Sequence, residues 1–177
     1  MASPFSLERR RFLTGRFASS VRAKVVHKAR GSIFPPGTEN FERLFSSCDA
    51  CGGCVEGCPK HLIHLEGDPP LPVLRFDRSG CLFCEGYPCA AACDRNALTL
   101  PTVKLPIGTA VFHSSYCASE TGSECRMCAS ACPQKAIDLI DGRPHINESC
   151  DGCGFCIPAC STVSKPAAIS IEPRRET

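Results

Sequence analysis

The grouping of sixteen cysteines constrains the fold of this 177-residue chain more than any other feature. Such a cysteine density is typical of chains that are cross-linked by disulfides or by metals. Because only 43% of the residues are apolar and Trp is absent, the aliphatic core must be thin, and we expect the cysteines to supply much of the stability. The four groups are Cys48, Cys51, Cys54 and Cys58; Cys81, Cys84, Cys89 and Cys93; Cys117, Cys125, Cys128 and Cys132; and Cys150, Cys153, Cys156 and Cys160.

The first and fourth groups have the spacing of a bacterial iron–sulfur loop. The run that begins at Cys48 matches C-x2-C-x2-C-x3-C-P in full, and the run that begins at Cys150 repeats it with Ser161 in place of the proline. Two-residue gaps let one loop present three thiolates to three corners of an iron–sulfur cube. Glycines such as Gly52 and Gly152 allow the backbone to approach closely. This spacing predicts [4Fe-4S] clusters.

The second and third groups are variants of the same pattern. The second has Gly86-Tyr87-Pro88 inserted in its middle gap, and the third has a seven-residue gap before Cys125. Longer loops still reach a cluster corner, but they change exposure and hydrogen bonding, which set reduction potential and lability. We therefore expect all sixteen cysteines to be cofactor ligands, for up to four [4Fe-4S] clusters.

The fourth cysteine of each group is expected to cross to a neighbouring cluster, as in two-cluster ferredoxins. The choice of sixteen ligands does not depend on this partition. The expected sets are Cys48, Cys51 and Cys54 with Cys93; Cys81, Cys84 and Cys89 with Cys58; Cys117, Cys125 and Cys128 with Cys160; and Cys150, Cys153 and Cys156 with Cys132.

Zinc and disulfides are the rival interpretations of the cysteines. Structural zinc usually takes two C-x2-C pairs with a longer spacer between them. Disulfides need an oxidising compartment, and the N-terminus lacks the apolar stretch of a signal peptide. No segment approaches the roughly 20 apolar residues of a transmembrane helix. Although Arg9-Arg10-Arg11-Phe12-Leu13 resembles a twin-arginine export signal, basic residues interrupt the segment after Leu13. We therefore expect a cytoplasmic protein without stable membrane insertion.

The N-terminal arm is strongly basic. Residues 1–30 hold eight Arg or Lys and one Glu, a formal charge of +7, whereas the rest of the chain carries −5. Apolar residues recur every four or five positions from about 7 to 30, which predicts a basic amphipathic helix. The arm is either a solvated tail or a docking segment for an acidic partner. The docking candidates are Arg9, Arg10, Arg11 and Arg16.

Beyond the arm the chain contains an internal repeat. In each half a cysteine group is followed by a short strand, a turn, a short strand and another cysteine group. The expected fold is α+β: two tandem bacterial-ferredoxin-like 2[4Fe-4S] modules, with helices near the third and fourth cysteines of each group. The predicted domains are a basic arm with a Pro-rich linker at 1–43, a first module at 44–103 and a second at 104–177. The expected strands are 62–65, 73–76, 97–100, 111–113, 136–140, 145–147 and 168–171.

The remaining residues give no sign of catalysis. The sequence has no nucleophile–base constellation, phosphate-binding glycine loop or nucleotide fingerprint, so we expect neither an enzyme nor a nucleic-acid-binding protein. Phe83 and Phe155 lie beside cysteines and are interpreted as packing that shields a cluster from water.

These features together resemble the NapF family, the ferredoxin-type accessory proteins of bacterial periplasmic nitrate reductase systems. The resemblance lies in Arg9-Arg10 with Leu13-Thr14-Gly15-Arg16, the Pro35-Pro36 step, the four cysteine groups in order, the gap from Cys117 to Glu124-Cys125, and the loop Cys150-Asp151-Gly152-Cys153-Gly154. It implies a cytoplasmic protein that binds several [4Fe-4S] clusters. It also implies contact with the catalytic molybdenum subunit of the nitrate reductase before that subunit is exported.

Three functions remain as hypotheses. The first is a maturation factor that delivers electrons or iron–sulfur units to that catalytic subunit. The second is an electron-transfer ferredoxin that passes electrons between redox partners. In the third, the clusters only stabilise the fold of an interaction module.

Overall fold

The structure, a computed structural model, describes residues 31–173, and one compact unit begins at Ser32. The predicted arm helix at 7–30 and the four candidate docking arginines lie outside the described residues. No helix within 31–173 combines the length and the apolar character that crossing a membrane requires.

The described unit is built from short helices and antiparallel strand pairs. The helices are α1 (Phe41–Ser47), α2 (Gly53–Glu56), α3 (Pro88–Ala91), α4 (Met127–Ser130) and α5 (Cys156–Ser161), and two 3-10 turns span Ser114–Tyr116 and Ala118–Thr121. The strands are β1 (Ile63–Glu66), β2 (Leu71–Leu74), β3 (Gly108–Phe112), β4 (Ile137–Ile140), β5 (Arg143–Ile146) and β6 (Ile169–Pro173). β1 pairs with β2, β3 with β6, and β4 with β5, each antiparallel.

The internal repeat is visible in the order of the elements. In the first half, α2 is followed by the β1–β2 hairpin and α3; in the second half, α4 is followed by the β4–β5 hairpin and α5. Each of these four helices carries the third cysteine of its group, as predicted, and α5 also carries the fourth. The cores follow the same division, one between residues 33 and 98 and the other between 110 and 169.

The first core begins before the first cysteine group. Asn40 caps α1, its Oδ1 accepting a hydrogen bond from the Arg43 amide at 2.8 Å, and Leu44 on this helix is fully buried. Phe41 lies between Phe34 and Phe45, with ring centroids 6.0 and 5.7 Å away. The Pro-rich segment, grouped with the arm on sequence, therefore packs into this core.

The strand predicted at Ala97–Leu100 does not form, so that prediction was wrong. Its counterpart in the second half, β6, pairs with β3. In the first half the neighbouring segment contains Pro35 and Pro36, which have no N–H to donate to a strand ladder. The two segments are joined by a backbone hydrogen bond from the Thr99 amide to the Gly37 carbonyl, at 2.9 Å.

The two halves interlock through reciprocal glycine–phenylalanine contacts. Phe155, in the fourth cysteine group, packs so closely on Gly80 that a Cβ there would overlap its ring. Phe76, just before the second group, packs in the same way on Gly154. The second and fourth cysteine groups therefore face each other across the boundary between the halves.

Candidate metal centres

Three of the four expected cysteine sets each line one cavity in the structure. We number the sets by the group that supplies three of their members. The first set is Cys48, Cys51, Cys54 and Cys93. The second is Cys58, Cys81, Cys84 and Cys89. The fourth is Cys132, Cys150, Cys153 and Cys156. In each case one thiol has crossed from the other group in the same half, in the partition expected from the sequence.

The third set, Cys117, Cys125, Cys128 and Cys160, is assembled in part. Cys160 and Cys125 both interact electrostatically with the Cys128 thiol, so these three lie close together. Cys117 is half-buried between the two 3-10 turns, and its inclusion rests on sequence order. Two residues further on, Ser119 has a buried hydroxyl that lacks a hydrogen-bond partner within the described part of the chain.

Each fourth cysteine accepts a backbone hydrogen bond at its sulfur. The donors to Cys58, Cys93, Cys132 and Cys160 are the amides of Leu62, Leu98, Ala136 and Ala168, at 3.5, 3.4, 3.3 and 3.2 Å. Amide hydrogen bonds to sulfur stabilise a thiolate and tune a bound iron–sulfur group. The bond also forms where the proline after the cysteine is missing, at Cys93 and Cys160, because the donor comes from four or more residues further along the chain.

The loops place left-handed backbone between the cysteines. Ala50 and Gly52 have positive φ in the first group, and Gly152 and Gly154 occupy the equivalent positions in the fourth. Turns of this kind bring successive amides to one side of the loop, where they form a concave surface that favours anions. The loops are therefore suited to a negatively charged group bound by thiolates.

Burial raises the pKa of several thiols inside the sets. It raises the pKa of Cys54 to about 11, and those of Cys81 and Cys156 to about 12. Neighbouring cysteines add to the effect, because each further thiolate disfavours ionisation of the next. Four neighbouring thiols, some of them buried, need a strong local positive charge to become thiolates together, and bound iron would supply that charge.

The spacing of the thiols also bears on what they can hold. Within residues 31–173 no three Cys, His, Asp or Glu side chains converge on a point that one metal ion would occupy. In a cube each thiolate binds a different iron atom, so its ligands stand farther apart than the ligands of a single zinc ion. The donor set, four thiols around one cavity, fits a multi-iron cluster.

Two charged pairs near the cysteines were not predicted from the sequence. Asp49 in the first group pairs with Arg95 at 2.7 Å, and Asp151 in the fourth pairs with Lys104 at 2.5 Å. The only sequence signal was that an aspartate follows the first cysteine of both groups. The partners lie 46 and 47 residues away from these aspartates, so local patterns could not identify them.

A larger cavity of about 430 Å³ lies away from the thiols. It is lined by the Pro-rich segment before α1 and by residues 99–107, with no cysteine among its lining residues. We therefore place the candidate centres at the cysteine sets and not at this cavity.

Comparison with known proteins gives relatives that are described as ferredoxin-type. No protein-family model matches the chain. A methylamine utilization ferredoxin-type protein, MauM of Methylophilus methylotrophus, is 34% identical over 89% of this chain and 78% of its own length. The ferredoxin-type proteins NapF and NapG of Haemophilus influenzae are each 31% identical, over 88% and 78% of this chain and 90% and 58% of their own lengths.

Proposed function

Since this chain belongs to the family of ferredoxin-type iron–sulfur proteins that includes MauM, NapF and NapG, we propose that it transfers electrons through up to four [4Fe-4S] clusters. The observation that carries the proposal is the gathering of four thiols around each of three cavities, in the crossed pattern of a two-cluster ferredoxin. The chain is then two tandem 2[4Fe-4S] modules, close to 44–103 and 104–177.

All sixteen cysteines act as ligands in this proposal, and each set holds one cluster. A [4Fe-4S] cluster supplies reversible one-electron chemistry when it is bound. The protein contributes the thiolates and the backbone amide hydrogen bonds to the four crossing sulfurs. It also contributes apolar shielding by residues such as Leu62 and Ile137, which are buried beside their sets. No catalytic residue is required for this function.

Iron quantification and a redox titration test the proposal. After anaerobic reconstitution of the full chain we expect about sixteen iron and sixteen sulfide per chain, for four clusters of four. Electron paramagnetic resonance should show that all four are reduced and reoxidised without loss of iron. An iron content well below this value after full reconstitution would contradict the four-cluster assignment, and clusters that cannot be reduced would contradict electron transfer.

A second candidate function is maturation of the catalytic molybdenum subunit of a periplasmic nitrate reductase in the cytoplasm. It is supported by the NapF relative, 90% of which is covered by this chain, and by the Leu13-Thr14-Gly15-Arg16 motif of the arm. In this function the basic arm docks on the client through Arg9, Arg10, Arg11 and Arg16, and the clusters deliver electrons or iron–sulfur units.

Affinity capture of the unexported catalytic subunit tests this second function. The intact chain should retain the subunit, and a variant with Arg9, Arg10, Arg11 and Arg16 changed to Ala should lose it while keeping its iron. Because the MauM relative has an identity comparable to that of the NapF relative, a protein of a methylamine utilization system is the matched alternative client. Retention of neither client, with the arm intact, would contradict this second function.

A further inference from the structure

One lysine touches the cysteine loops of both halves. Lys104 lies in the segment that joins the halves, and its Nζ is 2.5 Å from Oδ2 of Asp151. The same Nζ lies 4.4 Å from the centroid of the Phe83 ring. Phe83 stands between Cys81 and Cys84, whereas Asp151 directly follows Cys150. A single cation therefore connects the loop of the second set to the loop of the fourth set.

The aspartate in this contact depends on the cation. Asp151 is the one charged residue that is buried within residues 31–173, with 7% of its surface exposed. Its Oδ1 accepts a hydrogen bond from the Cys153 amide at 3.0 Å, which fixes the carboxylate inside the loop. A buried carboxylate without a counter-charge is strongly unfavourable, so the Lys104 ammonium both compensates Asp151 and anchors the joining segment to the fourth group.

The backbone beside Lys104 forms a direct bridge between the two loops. The amide of Cys81 donates to the carbonyl of Cys153 at 2.7 Å, so a cysteine of the second set is one hydrogen bond away from a cysteine of the fourth. The joining segment continues the contact, since the Ile107 amide donates to the Asp151 carbonyl at 3.0 Å. We call this contact, Cys81 to Cys153 with Lys104 and Asp151 beside it, the junction.

We propose that Lys104 is a positioning residue that holds the junction closed and thereby couples the two halves electronically. This inference rests on the proposed electron-transfer function. The second and fourth sets would hold the two clusters between which one electron passes, so that one cluster would be oxidised as the other is reduced, with no proton or further reactant. The second and fourth sets are the inner members of the path, and the first and third sets are its outer members.

The chain contains a matched control for this contact. Asp49 follows Cys48 as Asp151 follows Cys150, and its Oδ1 accepts from the Cys51 amide at 3.3 Å. Its partner Arg95 belongs to the same half, and both side chains are largely exposed, at 65% for Arg95 and 42% for Asp49. The first set therefore has the same aspartate hydrogen bond in its loop, but its ion pair does not connect the two halves. An exposed ion pair of this kind contributes little to stability.

The test compares K104M, K104R and R95M in the full chain. Hydrogen exchange of peptides covering 78–84 and 150–156 reports opening of the junction in the reduced, metal-free protein. In the reconstituted protein, electron paramagnetic resonance reports the spin–spin interaction between reduced clusters. K104M should raise exchange at the Cys81 amide about tenfold and weaken that interaction, with no change in iron content. K104R should behave nearly as the parent chain, and R95M should leave both readouts unchanged.

A double variant separates positioning from simple charge compensation. In K104M/D151N no buried charge is left unpaired, so stability should recover relative to K104M. Hydrogen exchange at the junction should stay raised, because the Lys104 contacts with Phe83 and Asp151 are both absent. Recovery of parental exchange in the double variant would overturn the positioning role, and so would parental exchange in K104M. A parent chain that binds no clusters would refute the proposed function instead, since the exchange measurement on metal-free protein still reports on the junction.

Discussion

Substitution of Cys58 tests which thiols share a cluster. Cys58 is the last member of the first cysteine group, but in the structure it lines a cavity with Cys81, Cys84 and Cys89. The Cys81 and Cys89 thiols both interact electrostatically with it. The change Cys58→Ala should therefore disable the cluster of the second set and leave that of the first set intact.

The magnitude comes from the assignment of four thiols to each cluster. One disabled cluster removes about four of about sixteen iron atoms, so Cys58→Ala should retain about twelve. Adding Cys84→Ala should remove no further iron, because both cysteines belong to the second set. Adding Cys51→Ala instead should reduce iron to about eight, because Cys51 belongs to the first set. Non-additivity of this kind identifies residues that act in one unit.

The assay is iron and sulfide quantification on anaerobically reconstituted variants, with spin counting by electron paramagnetic resonance after reduction. If a damaged set retains a partial cluster, each variant loses less iron, but the variant with Cys58→Ala and Cys51→Ala should still contain less iron than the variant with Cys58→Ala and Cys84→Ala. The reverse order would refute the crossed partition. In that case Cys58→Ala with Cys51→Ala would lose one cluster, and Cys58→Ala with Cys84→Ala would lose two.

Three further predictions concern stability. Burial raises the pKa of several thiols above their usual value of 9.0, so in the folded chain they stay protonated at a pH where the unfolded chain has already released its protons. The Tm of the reduced, metal-free protein should therefore fall as pH rises from 9 toward 11. Reconstituted protein should not show this loss, because its iron-bound thiolates carry no proton. Gly80→Ala should lower the free energy of unfolding by about 1–3 kcal/mol in chemical denaturation, because the new Cβ would overlap the Phe155 ring. Gly31→Ala should leave it almost unchanged, because a Cβ at Gly31 would meet no atom within 4 Å. Equal effects of the two substitutions would contradict the interlocking contact. Leu44→Ala, at a fully buried position, should lower the free energy of unfolding by about 2–5 kcal/mol. Leu82, whose side chain is 51% exposed, provides the control. If Leu44→Ala lowers stability no more than Leu82→Ala does, the assignment of Leu44 to the core is contradicted.

The sequence predicted the elements that depend on short-range patterns. The strand pairs flanked by cysteine groups follow from apolar runs separated by Gly-containing turns, such as Gly67 and Gly142. Helices α2 to α5 follow from the group spacing, since each begins within one residue of a third cysteine. Helix α1 was missed although Asn40 is a good N-cap residue and apolar residues come after it at helical spacing.

Features that depend on distant contacts could not be predicted from the sequence. Ala97–Leu100 has the composition of a strand, but its neighbour in space contains two prolines, and the Leu98 amide is used by the Cys93 sulfur. The pairing of Asp151 with Lys104 joins residues 47 positions apart. Neither partner carries a local signature, so only the folded arrangement of the two halves brings them together.

The crossing of the fourth cysteines has a consequence for the order in which the chain becomes able to bind its cofactors during synthesis. Within the first half, the second set is complete once Cys89 has left the ribosome, whereas the first set must wait for Cys93. Within the second half, the fourth set is complete at Cys156 and the third only at Cys160. Because chains emerge from the N-terminus, the inner set of each half is available to the cell's iron–sulfur assembly machinery before the outer set. Within each half the inner set is therefore complete before the outer set, and a chain that ends between Cys156 and Cys160 lacks only a ligand of the third set.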